Sequence, residues 1–363
     1  MKIKPMTKFA ILALSLVLVA CAGGGSEEAG CPAIDGREIN VVATTPMIGE
    51  FVSQVGGENI NLTVLMPPEA NPHTYEPAPQ DAGTIAEADL VFYTGLLYEP
   101  AALVKLLENS ACSTDILSEV GESVFPIEFK EGGHDDHDDH DDHDDHDDHD
   151  DEEGHDDHDD EEGHDDEEGH DDHDDEEGHD DHEGHNHGAY DPHFWFDPSR
   201  VAYAAEYIES RLIQFDPENE SSYKSSADSF VSELNDLTKQ VSELISTVPS
   251  QNRKLITTHE SLGYLEAKFG LEVLSTIIPS LNSANEISPS DLAGVIDVIE
   301  DNNVKVIFIE SEAPSVYSET IVAETGIKSV TGLYVETLKP GQSYSEFLIS
   351  NVKLITENLQ DTD

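Results

Sequence analysis

The sequence predicts an α/β fold in which two parallel-sheet lobes are joined by one long rigid helix. Three observations lead to this prediction. Short apolar strands alternate with helices near both ends of the chain, a regular apolar stripe lies between the two alternating regions, and 363 residues suffice for two ordinary domains. A tract of histidine and acidic residues interrupts the first region, so we expect a disordered insertion in the N-terminal lobe.

The first alternating region begins at Arg37. Its predicted strands are 39–44, 61–66 and 90–94, and its predicted helices are 46–56, 80–88 and 100–108. Strands that alternate with helices of this length favour a parallel sheet covered on both faces.

The second alternating region follows residue 250 and has the same pattern. Ser288 is a plausible cap for one of its helices. The predicted strands are 254–258, 272–276, 304–309 and 328–333, and the predicted helices are 262–269, 289–301, 316–325 and 344–359.

Between the two regions, eight apolar residues are spaced alternately by four and three positions. They are Tyr223, Ala227, Phe230, Leu234, Leu237, Val241, Leu244 and Val248. This spacing places them on one face of a helix about 40 Å long, which would brace two lobes and resist hinge closure. A coiled-coil dimer is the alternative, but so short a stripe more often packs within one chain, so we expect a monomer.

The N-terminus has the features of an export signal. A short basic region precedes a run of 12 apolar residues, 9–20, which is too short to span a membrane and fits a signal-peptide core. The following Leu-Val-Ala-Cys, 18–21, resembles the lipobox of bacterial lipoproteins. That resemblance implies that Cys21 is lipidated and anchors the chain on the extracytoplasmic side, in the periplasm or at the cell surface. A buried or unpaired Cys21 is the alternative.

Two further cysteines, Cys31 and Cys112, would remain in the exported protein. An even pair in an oxidising compartment is often bridged, so a disulfide is possible, although the sequence does not give the distance between them.

These features set the expected boundaries. They are 1–20 for the signal peptide, 21–36 for the tether, 37–130 with 190–216 for the N-terminal lobe, 131–189 for the insertion, 217–250 for the linking helix and 251–363 for the C-terminal lobe.

The formal net charge of −62 is concentrated in the insertion. Of the 79 acidic residues, 34 lie between Glu131 and His187, where there is no lysine or arginine. Such a chain would repel a phosphate backbone, so nucleic acid is excluded as a partner.

The insertion also holds 15 histidines, most of them in His-Asp-Asp repeats. Imidazoles bind Zn²⁺ and related ions, and carboxylates concentrate cations, so we expect many weak, adaptable metal sites. A solvated acidic spacer is the alternative. The histidines are His134, His137, His140, His143, His146, His149, His155, His158, His164, His170, His173, His179, His182, His185 and His187.

Three histidines lie outside this tract: His73, His193 and His259. Each follows a predicted strand or stands in a proline-bounded turn. Loops at the carboxyl ends of parallel strands converge, so these imidazoles could meet and leave a fourth metal position for a carboxylate or water. Taken singly, each is more often a hydrogen-bonded structural residue.

Three segments carry a resemblance to a known family. They are 72–77, Pro-His-Thr-Tyr-Glu-Pro; 191–198, Asp-Pro-His-Phe-Trp-Phe-Asp-Pro; and 258–264, Thr-His-Glu-Ser-Leu-Gly-Tyr. From about residue 39 to its end, the chain is similar to zinc/manganese solute-binding proteins of ABC importers, the ZnuA-like group.

This resemblance implies one metal between two lobes, with His73 and His193 from the N-terminal lobe and His259 from the other. Glu336, in a segment where the family commonly has Asp, would be the fourth ligand unless water takes that place. The implied partner is the membrane permease of an ABC importer. We expect Zn²⁺ as the bound ion, because a third imidazole suits zinc, while Mn²⁺, the alternative, favours oxygen ligands.

Two other classes of function remain open. Three histidines and a water also form hydrolytic zinc sites, but His259-Glu260 is not completed to His-Glu-x-x-His, since residue 263 is Gly. We therefore do not expect an enzyme. A zinc-buffering surface lipoprotein or adhesin is compatible with the same features.

Overall fold

A computed structural model describes residues 31, 34, 36–68, 70–129, 190–311 and 316–360. The expected signal peptide 1–20, Cys21 and the tract 131–189 with its 15 histidines lie outside the described residues. The predicted α/β fold with two parallel-sheet lobes is confirmed.

The N-terminal lobe is built on one four-stranded parallel sheet with the strand order β2-β1-β3-β4. Its short last strand, β4, was not among the strands predicted from sequence. The strands are β1 (Ile39–Ala43), β2 (Ile60–Val64), β3 (Leu90–Tyr93) and β4 (Leu117–Glu119), and the helices between them are α1 (Pro46–Gly56), α2 (Pro79–Ala86) and α3 (Ala101–Ser110).

Two long helices follow the insertion. The first, α4 (Pro198–Phe215), was not predicted, although Asp197 caps it and proline occupies its first position, which are standard start signals. The second, α5 (Glu220–Ser246), is the predicted linking helix. Its stripe differs from expectation at the end, since Leu244 is half-buried and Ile245 is buried instead. A stripe with a heptad spacing drifts by about 20° per heptad around a straight helix, which brings residue 245 to the buried face.

The C-terminal lobe consists of two parallel strand pairs, β5 with β6 and β7 with β8. Strand β5 lies beside β7, where the Glu310 N–H donates to Thr258 Oγ1. The strands are β5 (Lys254–His259), β6 (Glu272–Ile278), β7 (Val306–Glu310) and β8 (Lys328–Leu333), and the helices are α6 (Gly263–Phe269), α7 (Pro289–Asp301), α8 (Val316–Thr325) and α9 (Tyr344–Gln360).

The two lobes share one continuous apolar core. Phe51 of α1 contacts Tyr344 of α9 with ring centroids 5.3 Å apart, and Trp195 donates its indole N–H to the Val335 carbonyl oxygen at 2.8 Å. Buried contacts of this kind hold the lobes together beside the site described below.

Cys31 and Cys112 are joined by a disulfide that closes a loop with a sequence separation of 81. The bridge ties the start of the described chain to the segment that follows α3. None of the helices in the described ranges is both long and apolar enough to cross a membrane.

Candidate metal centre

Four side chains from separate parts of the chain converge between the lobes. His73 lies in a short 3-10 helix, Pro72–Thr74, and His193 directly precedes another, Phe194–Phe196. His259 is the last residue of β5, and Glu336 lies three residues beyond β8. One ligand atom from each lies within 4.8 Å of the others. The structure thus brings together all four of the metal ligands proposed from sequence.

The spacing between these side chains suits one small cation. Oε1 of Glu336 lies 3.0 Å from Nε2 of His73 and 2.9 Å from Nε2 of His259, while Oε2 lies 3.5 Å from Nε2 of His193. Ligand atoms in a tetrahedral zinc site with bonds of about 2.1 Å lie about 3.4 Å apart, and the two Oε1 distances are somewhat shorter than that value.

The three imidazole Nε2 atoms are buried, and none has hydrogen-bond geometry to a described residue; the atoms they face are the oxygens of Glu336. A buried polar atom without a well-formed hydrogen bond is destabilising by about 1–3 kcal/mol. Three such nitrogens aimed at one point are therefore explained by an ion that binds all three. The donor set, three imidazole nitrogens with a carboxylate, is of the kind that binds Zn²⁺ and similar divalent cations.

Two of the histidines are oriented by buried carboxylates. Asp191 accepts hydrogen bonds from the ring Nδ1 and the backbone N–H of His193, each at 2.8 Å. Glu310, at the end of β7, lies 2.5 Å from Nδ1 of His259 and accepts from the backbone N–H of His259 at 3.2 Å. A carboxylate on Nδ1 fixes the ring tautomer that presents Nε2 to a metal and makes that nitrogen a stronger ligand.

The cluster also shifts the pKa values of its members. Burial alone would lower the pKa of His193, but Asp191 and Glu336 raise it to about 9. Burial likewise opposes protonation of His259, while Glu310 and Glu336 raise its pKa well above the ordinary value. Burial would raise the pKa of Glu336, but His73 and His259 hold it well below its usual range. Without a metal, protonation of His193 and His259 is favoured by these carboxylates, and a bound cation would compete with those protons.

Tyr98 and Trp195 complete the wall of the cluster. The Tyr98 ring packs edge-on against His73, with centroids 5.0 Å apart, and against Trp195 at 5.2 Å. Its hydroxyl lies 3.0 Å from both Oε2 and the backbone oxygen of Glu336.

Three of these supporting residues were missed by the sequence analysis: Tyr98, Asp191 and Glu310. Signals for two of them were present. Asp191 stands two residues before His193, and Glu310 directly follows the most apolar predicted strand, at the carboxyl end where sites form. No local signal singles out Tyr98, which reaches Glu336 across a sequence separation of 238.

The chain matches a known protein family and several characterised relatives. The family described as zinc-uptake complex component A, periplasmic, matches residues 41–358. The manganese ABC transporter substrate-binding lipoprotein PsaA of Streptococcus anginosus is 24% identical over 365 residues, which cover 98% of this chain and 99% of the relative. The manganese-binding lipoprotein MntA of Halalkalibacterium halodurans is 21% identical over 347 residues, covering 95% and 94%.

The fold has a solved counterpart in the periplasmic zinc-binding protein TroA from Treponema pallidum. The two structures match with a TM-score of 0.68 at 19% identity, over 89% of this chain and 99% of TroA.

The buried cluster able to hold one cation, together with the family match and the substrate-binding relatives, defines a solute-binding protein for metal ions rather than an enzyme. The chain belongs to the zinc-uptake complex component A family, the metal-binding components of ABC transporters.

Proposed function

We propose that this protein captures Zn²⁺ outside the cytoplasmic membrane and delivers it to the permease of an ABC importer. His73, His193, His259 and Glu336 are the proposed ligands. The observation that carries the proposal is the convergence of three buried imidazole Nε2 atoms on the carboxylate of Glu336, with one ligand atom from each of the four residues within 4.8 Å of the others.

Zinc is proposed over manganese because of the donor set. Three nitrogen ligands and one carboxylate suit a four-coordinate Zn²⁺, whereas Mn²⁺ favours sites with more oxygen ligands. Manganese is the second candidate, since two relatives are named as manganese-binding proteins. Their identities of 24% and 21% leave room for a different ion here.

The proposed ligands can be tested one at a time in the full chain. Zn²⁺ affinity is measured by competition with a strong chelator, so that weak sites are stripped and one tight site is observed. His193→Ala should weaken that site by orders of magnitude, because a tetrahedral shell loses one of its four ligands. His187→Ala is the matched control, since it removes one of 15 histidines in the tract and should leave the tight site intact. A tight site that survives in His193→Ala contradicts the proposed ligand set.

We further propose that Cys21 carries a lipid that holds the protein at the extracytoplasmic face of the membrane. The support is the export signal with its lipobox-like end and the naming of relatives as lipoproteins. Cys21→Ala should then release the protein from the membrane fraction, because acyl chains supply the membrane affinity. A variant that is processed normally and stays membrane-bound contradicts the assignment.

The histidine tract is proposed as a low-affinity collector. Its 15 histidines exceed what one ion needs, and its last, His187, stands six residues before His193. Ions held there stay at a high effective concentration near the cluster, so transfer need not pass through bulk solvent. We also propose the domain boundaries given from sequence. The cluster then lies between the N-terminal lobe, 37–130 with 190–216, and the C-terminal lobe, 251–363.

A further inference from the structure

The carboxylate of Glu336 has two different surroundings at its two oxygens. Oε1 faces two imidazoles, at 3.0 Å from Nε2 of His73 and 2.9 Å from Nε2 of His259. Oε2 lies 3.0 Å from the Tyr98 hydroxyl and farther, 3.5 Å, from Nε2 of His193. One oxygen therefore points into the candidate metal position, while the other is engaged by a tyrosine.

The Tyr98 hydroxyl has one hydrogen and two acceptors at 3.0 Å, Oε2 and the backbone oxygen of Glu336. A hydrogen bond to an ionised carboxylate is about twice as strong as one to a neutral acceptor. A carboxylate that binds a metal ion is deprotonated, so Oε2 of metal-bound Glu336 is the charged acceptor of the two. The hydrogen is therefore donated to Oε2.

The geometry points to Tyr98 as a positioning residue that limits Glu336 to one metal-binding oxygen and thereby selects Zn²⁺ over Mn²⁺. This inference rests on the proposed function. With Oε2 occupied, the cluster offers three nitrogens and one oxygen, which is a complete tetrahedral set for Zn²⁺. Mn²⁺ would gain from a second carboxylate oxygen, and the Tyr98 hydroxyl opposes that arrangement.

The backbone just before Tyr98 has a constrained conformation that helps to position the Tyr98 side chain. Leu96 and Leu97 both have a positive φ, 53° and 61°, a conformation that is destabilising by about 1–3 kcal/mol for each such residue unless the surroundings impose it. Hydrogen bonds to two carboxylates stabilise this backbone conformation. Glu99 accepts from the backbone N–H groups of Thr94 and Gly95, and Glu119 accepts from that of Leu96.

The other side of the contact is fixed as well. Trp195 packs on the Tyr98 ring and donates its indole N–H to the carbonyl oxygen of Val335, the residue before Glu336. Trp195 of the N-terminal lobe thus contacts both the Tyr98 ring and the C-terminal-lobe segment that carries Glu336. A tyrosine in this position can restrain the glutamate without touching the metal.

The test compares Tyr98→Phe with the unaltered full chain. Affinities for Zn²⁺ and for Mn²⁺ are each measured by chelator competition, and one equivalent of Co²⁺ serves as a spectroscopic probe of coordination number. The matched control is Tyr344→Phe, which removes another buried interlobe hydroxyl, one that donates to the Trp195 carbonyl oxygen at 2.8 Å.

The expected result is a ratio of Zn²⁺ to Mn²⁺ affinity that falls about tenfold or more in Tyr98→Phe, in line with the effect of losing a ligand's supporting hydrogen bond. The Co²⁺ absorption should weaken as the site moves from four to five ligands, and Tyr344→Phe should change neither reading. Equal losses of both affinities, or an unchanged ratio and spectrum, would overturn the inference. An unaltered chain with no tight Zn²⁺ site would instead refute the proposed function.

Discussion

Replacing Glu310 by Gln should weaken Zn²⁺ binding although Glu310 is not a proposed ligand. Glu310 is buried at the end of β7. Its carboxylate lies 2.5 Å from Nδ1 of His259 and accepts hydrogen bonds from the backbone N–H of His259 at 3.2 Å and from the Ser261 hydroxyl at 3.3 Å. Glutamine keeps the size and one acceptor oxygen but removes the charge that makes the His259 ring a stronger ligand. Loss of such a partner reduces metal affinity by about 10–100-fold, or about 1.4–2.8 kcal/mol.

The assay is a chelator competition at fixed pH, combined with thermal unfolding of the metal-free variant to check that it folds. Glu260→Gln is the matched control. It makes the same chemical change one residue from His259, but Glu260 bonds to Thr276 Oγ1 at 3.0 Å. Zn²⁺ affinity in this control should stay nearly unchanged. If Glu310→Gln binds Zn²⁺ as tightly as the unaltered chain, or if both variants lose the same amount, the carboxylate does not act through the His259 ring.

Three further predictions concern the rest of the molecule. Replacing both Cys31 and Cys112 by Ser should lower the free energy of unfolding by about 2–5 kcal/mol in denaturant titrations, because the bridge constrains the unfolded chain; an unchanged midpoint would show that the bridge contributes nothing. The metal-free protein should lose thermal stability as pH rises, because the pKa of His193 is about 9 in the folded protein and about 6.5 in the unfolded chain. The stabilisation from this histidine is therefore complete below about pH 6.5 and disappears as the pH passes 9. Melting temperatures that rise over this interval would contradict that sign. Deleting 131–187 should leave the tight Zn²⁺ site nearly unchanged but remove the capacity for additional, weakly held ions, which equilibrium dialysis would show; unchanged capacity would refute the collector role.

Features encoded by neighbouring residues could be predicted from the sequence. Helix α7 was predicted with its bounds and with Ser288 as its cap, because Ser288 and Asp291 satisfy each other's backbone N–H groups within one turn. The three histidines outside the tract stood out for a similar reason, since each lies at a strand end or in a proline-bounded turn.

Features that depend on distant contacts could not be predicted in the same way. Glu310 reaches His259 across a sequence separation of 51, and Tyr98 reaches Glu336 across 238. Periodicity and spacing describe one element at a time, whereas these contacts arise only when the elements pack. The end of the apolar stripe has a different cause, because a heptad spacing drifts around a straight helix and so brings Ile245 rather than Leu244 to the buried face.

The most direct test of the proposed function is a competition between Zn²⁺ and Mn²⁺ for the metal-free full chain. The protein is equilibrated with one equivalent of Zn²⁺ and a large excess of Mn²⁺, freed of weakly bound ions with a chelator, and analysed for both metals. Three imidazole ligands and the order of divalent affinities predict one Zn²⁺ retained per chain and no Mn²⁺. Recovery of one Mn²⁺ per chain in place of Zn²⁺ would contradict the zinc assignment, and recovery of neither metal would contradict the site itself.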